Sequence, residues 1–218
     1  MFPLYDTQRS RHFPLMNWML VILNGLAFFY ETTLSEAELF RFIQTWGLVP
    51  ATAAFSTPET WFNILTSMFL HGGWFHILSN LWILIIFGDN VEDKLGSAQY
   101  LIFYLLSGTA AAFLQIYFDP TSSTPIIGAS GAIAGILGAY FILFPHSRIA
   151  SFLPIFFIFT IVELPAGIFL GFWFIFQLFS GWLALQGADA SGIAWWAHIG
   201  GFVFGMIAIR LFIKRRYY

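Results

Sequence analysis

The chain has 218 residues, of which 59% are hydrophobic and only 9% charged, with a formal net charge of -2. Soluble domains carry about a quarter charged residues, so this sequence has too little charge to cover a water-facing surface. No basic patch accompanies an aromatic platform, which argues against a nucleic-acid partner, and zero cysteine removes disulfides, thiolate metal sites and cysteine nucleophiles.

The apolar residues come in long runs without the alternation of a barrel strand, as expected of helices spanning lipid, each needing about 20 residues. Phe13–Tyr30 follows Arg9 and Arg11 and is long enough to span. With no evident small-residue cleavage site after it, it reads as a retained first helix rather than a signal peptide. A long loop, 31–72, comes next. The run from Trp61 to Phe87 is too long for one span and is interrupted at His71-Gly72-Gly73. Because Gly-Gly breaks helices, a short interfacial helix is expected over about 61–70 and a true span over 73–91. Four further spans follow at 99–118, 125–144, 164–185 and 195–213. Between the fourth and fifth, Ile149–Val162 is apolar but contains Pro154 and runs into Glu163 and Pro165. That stretch fits either a membrane-embedded connection or an early start to the fifth helix. The expected fold is therefore all-α: one polytopic membrane domain, 1–218, of six transmembrane helices.

Six spans put both ends of the chain on one side. Arg9 and Arg11 precede the first span, Lys94 and Arg148 lie in the second and fourth loops, and Lys214-Arg215-Arg216 follow the last span. Only Arg41 lies in an odd-numbered loop, beside Glu31, Glu36, Glu38 and Glu59. The positive-inside rule then places both termini in the cytoplasm, and a bacterial inner membrane is the expected location.

A polar group within hydrocarbon needs a partner or a purpose. Ser130, His198, and the pair His76 and Asn80 stand out in this respect. Taken singly, each has a plain explanation: a membrane serine bonds back to its own helix, an asparagine bridges helices, and a histidine packs or belongs to a proton path. The series Gly128, Gly131, Gly135 and Gly138, like Gly201 and Gly205, fits small-residue helix packing. Depth joins them. Given the orientation set by Lys and Arg alone, Ser130 lies about five residues into the fourth span and His198 about three into the sixth, both counted from the outer side. His76 is at a similar depth in the second span, with Asn80 one turn further on the same face. All four fall within roughly 5–15 Å of the outer boundary at about 1.5 Å per residue.

A serine hydroxyl needs a base to become a nucleophile, and a neutral imidazole is the usual one near neutral pH. Glycines around Ser130 allow the fourth helix to approach the sixth. The fourth helix's N-terminus offers unpaired N–H groups and a positive dipole end, where an oxyanion can be stabilised. His76 and Asn80 carry further N–H donors. Asp89, Glu92, Asp93 and Glu163 all lie at inner ends, so no acidic third member is expected, and the imidazole is expected to be oriented by packing.

Gly128-Ala129-Ser130-Gly131 resembles the GxSG motif of rhomboid proteases. Ala197-His198-Ile199-Gly200-Gly201 with Gly205 resembles their AHxxG motif and following GxxxG spacing, and His71 to Asn80 resembles their HxxxxHxxxN element. The similarity runs from about Trp61 to Gly205. It implies an intramembrane serine endopeptidase with Ser130 as nucleophile, His198 as general base, and His76, Asn80 and the Ser130 amide as oxyanion hole. His71 takes a structural role by the same resemblance, and Gly128, Gly131, Gly135, Gly201 and Gly205 serve packing. No cofactor or metal is implied. The partners implied are the lipid bilayer and transmembrane protein substrates, cut near the membrane boundary. Two departures are visible: Trp61-Phe62-Asn63 has Asn where many members have Arg, and Ala134 stands where some members stack an aromatic on the histidine. Trp195 or Trp196 is the candidate replacement for that aromatic. A helix-binding rhomboid relative without activity would characteristically lack the Ser or the His. A channel would distribute polar residues through the full depth, whereas the inner halves of the fourth and sixth spans are apolar. The sequence has no HExxH zinc motif and no paired intramembrane aspartates.

Overall fold

The computed structural model describes residues 2–155, 158–188 and 191–213; the Lys214-Arg215-Arg216 cluster lies outside them. In chain order the elements are β1 (Phe2–Asp6), α1 (Leu15–Thr32), α2 (Glu36–Trp46), a 3-10 turn (Pro50–Thr52), α3 (Pro58–Ser67), α4 (Trp74–Leu95), α5 (Ser97–Phe118), α6 (Ser130–Leu143), β2 (Arg148–Ile155), β3 (Ile158–Pro165), α7 (Ala166–Leu185) and α8 (Trp195–Phe212). Helices α4, α5, α7 and α8 are long and apolar enough to cross a membrane. With α1 (18 residues) and the shorter apolar α6 they make a predominantly helical multi-pass bundle, compatible with six spans.

α6 is the axis of this bundle. Every residue from Gly131 to Tyr140 is buried, and among the described residues its contact with α8 is the most extensive between two helices. The contact is backbone on backbone. A methyl group added at Gly201 would overlap the Gly131 carbonyl oxygen, one at Gly205 would overlap the Gly135 carbonyl, and one at Gly138 would overlap the Phe202 carbonyl. Lipid tails provide no hydrophobic drive for helices to associate, so close van der Waals packing through small residues holds such a pair together.

The expected span at 125–144 begins late. Residues 125–129 are not helical, and Ser130 is the first residue of α6 rather than about five residues into it. With 14 residues, α6 is about 21 Å long, short of a hydrocarbon core of about 30 Å. The missing length is supplied by irregular chain whose backbone groups are paired within the protein. Leu48 and Ile126 exchange N–H···O bonds of 3.2 and 2.7 Å, and the Gly128 N–H donates to the Ser67 carbonyl at 2.9 Å. Non-helical backbone at membrane depth is stable only when satisfied in this way.

Two further differences from expectation concern loops. Residues 149–155 and 158–162 are not an early start of α7. They lie in the antiparallel pair β2 and β3, with Arg148 opposite Pro165, and β1 adds a third strand alongside β2. Pro154 opposes a helix here, and the surrounding Ile, Phe, Thr and Val favour extended chain. β1 is held to the bundle by the Trp82 indole N–H, which donates to the Pro3 carbonyl at 2.7 Å, and by Asp6, which meets the Tyr140 hydroxyl and Asn90 Nδ2. Burial pushes the Asp6 carboxyl up to about 7. In the first loop, the interfacial helix is Pro58–Ser67 rather than 61–70, and α2 precedes it behind a Ser35/Glu38 capping box. Where Asn63 replaces the family's Arg, this loop is fastened by other groups. The Glu31 carboxylate accepts the His71 N–H, the Trp61 indole N–H donates to the Phe55 carbonyl, and the Thr66 hydroxyl donates to the Trp46 carbonyl.

Substituting Gly205 by Leu forces α6 and α8 apart. Overpacking of about 1–3 kcal/mol or more is expected, read as a lowered thermal unfolding midpoint in detergent. A midpoint equal to the wild type's would show that the two backbones are not in contact.

Candidate active site

The N-terminal ends of α4, α6 and α8 and the C-terminal ends of α5 and α7 surround a cavity of about 830 Å³. His76, Asn80, Ser130 and His198, the four polar residues singled out by depth, all line it. Each arrives there for a local reason. Gly73 ends the preceding turn and lets α4 start at Trp74, which sets His76 and Asn80 one turn apart on its inward face. Ser130 opens α6, and His198 lies in the first turn of α8.

The glycine contact described above brings the two helix starts together. Ser130 Oγ lies 2.9 Å from His198 Nε2. Opposite them, Gly128 has φ +117°, a conformation that glycine tolerates and other residues rarely adopt. The space is needed as well. A Cβ on Gly128 would sit 2.6 Å from His76 Nε2 and 3.6 Å from Asn80 Nδ2. The turn therefore lays the Gly128 backbone against two side-chain donors.

Their hydrogen-bond state follows from their partners. The Gly72 N–H donates to His76 Nδ1 at 3.3 Å, so a neutral His76 carries its proton on Nε2, the nitrogen beside Gly128. Asn80 Nδ2 is buried and has no partner among the described residues. The first N–H groups of α6 precede its helical ladder, whose opening bond runs from the Ile133 N–H to the Ala129 carbonyl. Donors from α4 and the start of α6 thus line the cavity that also holds Ser130, and such donors are able to bind negative charge developing on an oxygen.

His71 is behind this wall. Its ring packs edge-on against His76 at 5.1 Å between centroids, and Nδ1 donates to the Phe69 carbonyl at 3.2 Å. Burial pushes the His71 imidazole down to about 4, so the ring is neutral at physiological pH.

His198 is expected to be oriented by packing rather than by a carboxylate, and a neutral amide is found beside it as well. Gln177 of α7 places Oε1 2.9 Å from His198 Nδ1. Packing contributes too. Trp195 meets the ring edge-on at 6.1 Å and Trp173 flanks it at 6.2 Å, whereas Trp196 turns away to stack on Phe118 at 3.6 Å. A second amide, Gln115 of α5, accepts the Ala197 N–H at 3.1 Å, shared with the Ala194 carbonyl at 3.0 Å, at the start of α8. Sequence reading passed over both glutamines, although each is an amide inside an apolar span, the same signal that marked His76 and Asn80.

A Rhomboid domain model matches residues 58–215 of the chain. Curated relatives include Rhomboid protein 1, mitochondrial, of Saccharomyces cerevisiae, 28% identical over 156 residues, or 66% of this chain and 40% of that protein. Rhomboid-like protease 5 of Toxoplasma gondii is 31% identical over 67% of this chain and 16% of its own length. Rhomboid protease GluP of Bacillus subtilis is 34% identical over 68% of this chain and 25% of its own length. The chain thus spans less than half the length of each. These relatives include a mitochondrial protein and a Toxoplasma gondii protein beside the Bacillus subtilis one, so they do not support the expected bacterial inner membrane.

Asn80 Nδ2 is buried without a partner among the described residues, and an unpaired buried polar group is penalised by about 1–3 kcal/mol. Asn80→Ala is therefore expected to leave the unfolding midpoint unchanged or raised. A clear fall would mean that the amide supports the fold.

Proposed function

This chain belongs to the rhomboid family, and on that premise we propose that it is an intramembrane serine endopeptidase acting through Ser130 and His198. The observation that carries the proposal is the 2.9 Å contact between Ser130 Oγ and His198 Nε2 within a polar-lined cavity of an otherwise apolar bundle. Hydroxyl and imidazole at this distance are within proton-transfer reach.

In the proposed mechanism, Ser130 Oγ attacks the scissile carbonyl carbon while its proton passes to His198 Nε2. The oxyanion of the tetrahedral intermediate accepts hydrogen bonds from the Ser130 N–H, His76 Nε2–H and Asn80 Nδ2. Collapse breaks the C–N bond as His198 gives its proton to the leaving amine, and an acyl ester remains on Ser130. Water, deprotonated by His198, then hydrolyses the ester and restores the enzyme. The substrates are transmembrane segments of other membrane proteins. Ser130 stands below the start of an ordinary span because α6 is short, so an unwound stretch near the outer boundary is what reaches it. Both termini lie on the cytoplasmic side in this reading, following the distribution of Lys and Arg.

Ser130→Ala is expected to abolish cleavage of a helical membrane substrate with the unfolding midpoint unchanged, and His198→Ala to abolish labelling of Ser130 by a fluorophosphonate probe. Residual cleavage by the first variant would remove the nucleophile; full labelling of the second would remove the base. Asn80→Ala should cost about 10²–10³ in kcat, the usual loss for one oxyanion donor.

A further inference from the structure

We infer that Gln177 is a positioning residue for the base: its side-chain carbonyl holds His198 in the one neutral tautomer that can accept the serine proton. The inference rests on the peptidase reading above and adds a residue to it.

Gln177 is 3% exposed in the middle of α7, an apolar helix in which a primary amide is costly unless its hydrogen bonds are made. Both ends of the amide have partners. Nε2 donates to the Trp173 carbonyl one turn back, at 3.4 Å, which leaves Oε1 turned towards His198 Nδ1 at 2.9 Å. The opposite amide orientation would set Oε1 against the Trp173 carbonyl, acceptor facing acceptor, so the observed one is favoured. An amide oxygen only accepts. Nδ1 must therefore carry the hydrogen, and since a neutral imidazole has one, Nε2 keeps its lone pair. That lone pair faces Ser130 Oγ at 2.9 Å. In the other tautomer, Nε2–H would face the hydroxyl and Nδ1 would oppose Oε1, and the ring could not act as the base.

The same helix turn supplies a second restraint. Trp173 flanks the imidazole at 6.2 Å, four residues before Gln177, so α7 meets the ring with one tilted aromatic neighbour and one hydrogen bond at its edge. When His198 becomes an imidazolium during the reaction, Oε1 still accepts from Nδ1–H, so the ring stays in register through both proton transfers. A carboxylate would do the same in water, but an ionised acid inside an apolar bundle pays a desolvation cost that the neutral amide avoids. Gln177 thus takes the place that an acid holds in a soluble triad.

The test uses the full-length protein in detergent, with fluorophosphonate labelling rate, cleavage of a helical membrane substrate and thermal unfolding measured on each variant. Gln177→Leu keeps the length and removes the acceptor; its labelling and cleavage rates are expected to fall roughly 10- to 100-fold. Gln177→Glu keeps an acceptor and is expected to recover to within a few-fold of wild type. Its rate–pH profile should have the acid limb displaced to higher pH, because a carboxylate beside Nδ1–H favours the charged ring. A folded Leu variant that labels at the wild-type rate overturns the inference and leaves the peptidase reading standing. Equal losses in the Leu and Glu variants with an undisplaced acid limb also overturn it, since they mark Gln177 as packing. If Leu prevents folding, the Glu profile decides alone. A folded wild type that neither labels nor cleaves removes the peptidase reading and this inference with it.

Discussion

The close approach of α6 and α8 governs everything else in the molecule. Two helices in lipid gain nothing from hiding apolar surface, so they stay together only where their backbones can touch. Here they touch because Gly131, Gly135 and Gly138 face Gly201, Phe202 and Gly205, with carbonyl oxygens occupying the space that side chains would need. The same glycines that pack the pair also fix its register. Ser130 opens one helix immediately before Gly131, and His198 precedes Gly201 by three residues on the other. Once the glycines interlock, the hydroxyl and the imidazole have little choice but to meet.

Around this contact the chain solves a problem of solvation. Polar side chains inside an apolar bundle are tolerated when they satisfy one another or line a cavity. The glutamines follow the first course: Gln177 pairs with His198, and Gln115 with the start of α8. Asn80 follows the second, with its amide nitrogen beside Gly128 and without a partner among the described residues. A short α6 makes room for the cavity, since the non-helical chain before it supplies Pro125, Ile126 and Ile127 to the cavity wall. At the opposite end, polar groups do structural work. The Glu92 carboxylate accepts the N–H groups of Met16 and Asn17, closing the start of α1, and Asp6 ties the N-terminal strand to α4 and α6.

Much of this was legible in the residue order. Hydropathy gives the long helices, because a span of lipid is a constraint on length and composition alone. The motifs around Ser130, His198, His76 and Asn80 are visible because polar groups are conspicuous against such a background. Less legible was whatever depends on a partner distant in sequence. The start of α6 was misjudged because Pro125, Ile126 and Ile127 are as apolar as a helix; what keeps them extended is pairing with Leu48 and the bond from the Gly128 N–H to Ser67. The β2–β3 hairpin was hidden by its hydrophobicity, and β1 is too short to announce itself. α2 carried a readable signal, a Ser35-to-Glu38 capping box, that an assignment as loop overlooked. Gln177 was missed for a different reason: the search for a third member looked for acids, whereas an apolar bundle favours a neutral acceptor.

The central claim is that Ser130 and His198 act as one unit beside donors from α4. The most direct measurement is an experimental structure of the full-length protein after reaction with a fluorophosphonate. The account predicts phosphorus bonded to Ser130 Oγ, the phosphoryl oxygen within hydrogen-bond distance of His76 Nε2, Asn80 Nδ2 and the Ser130 N–H, and His198 still bonded to Gln177. A phosphorus on any other residue, or a phosphoryl oxygen turned away from all three donors, would contradict it.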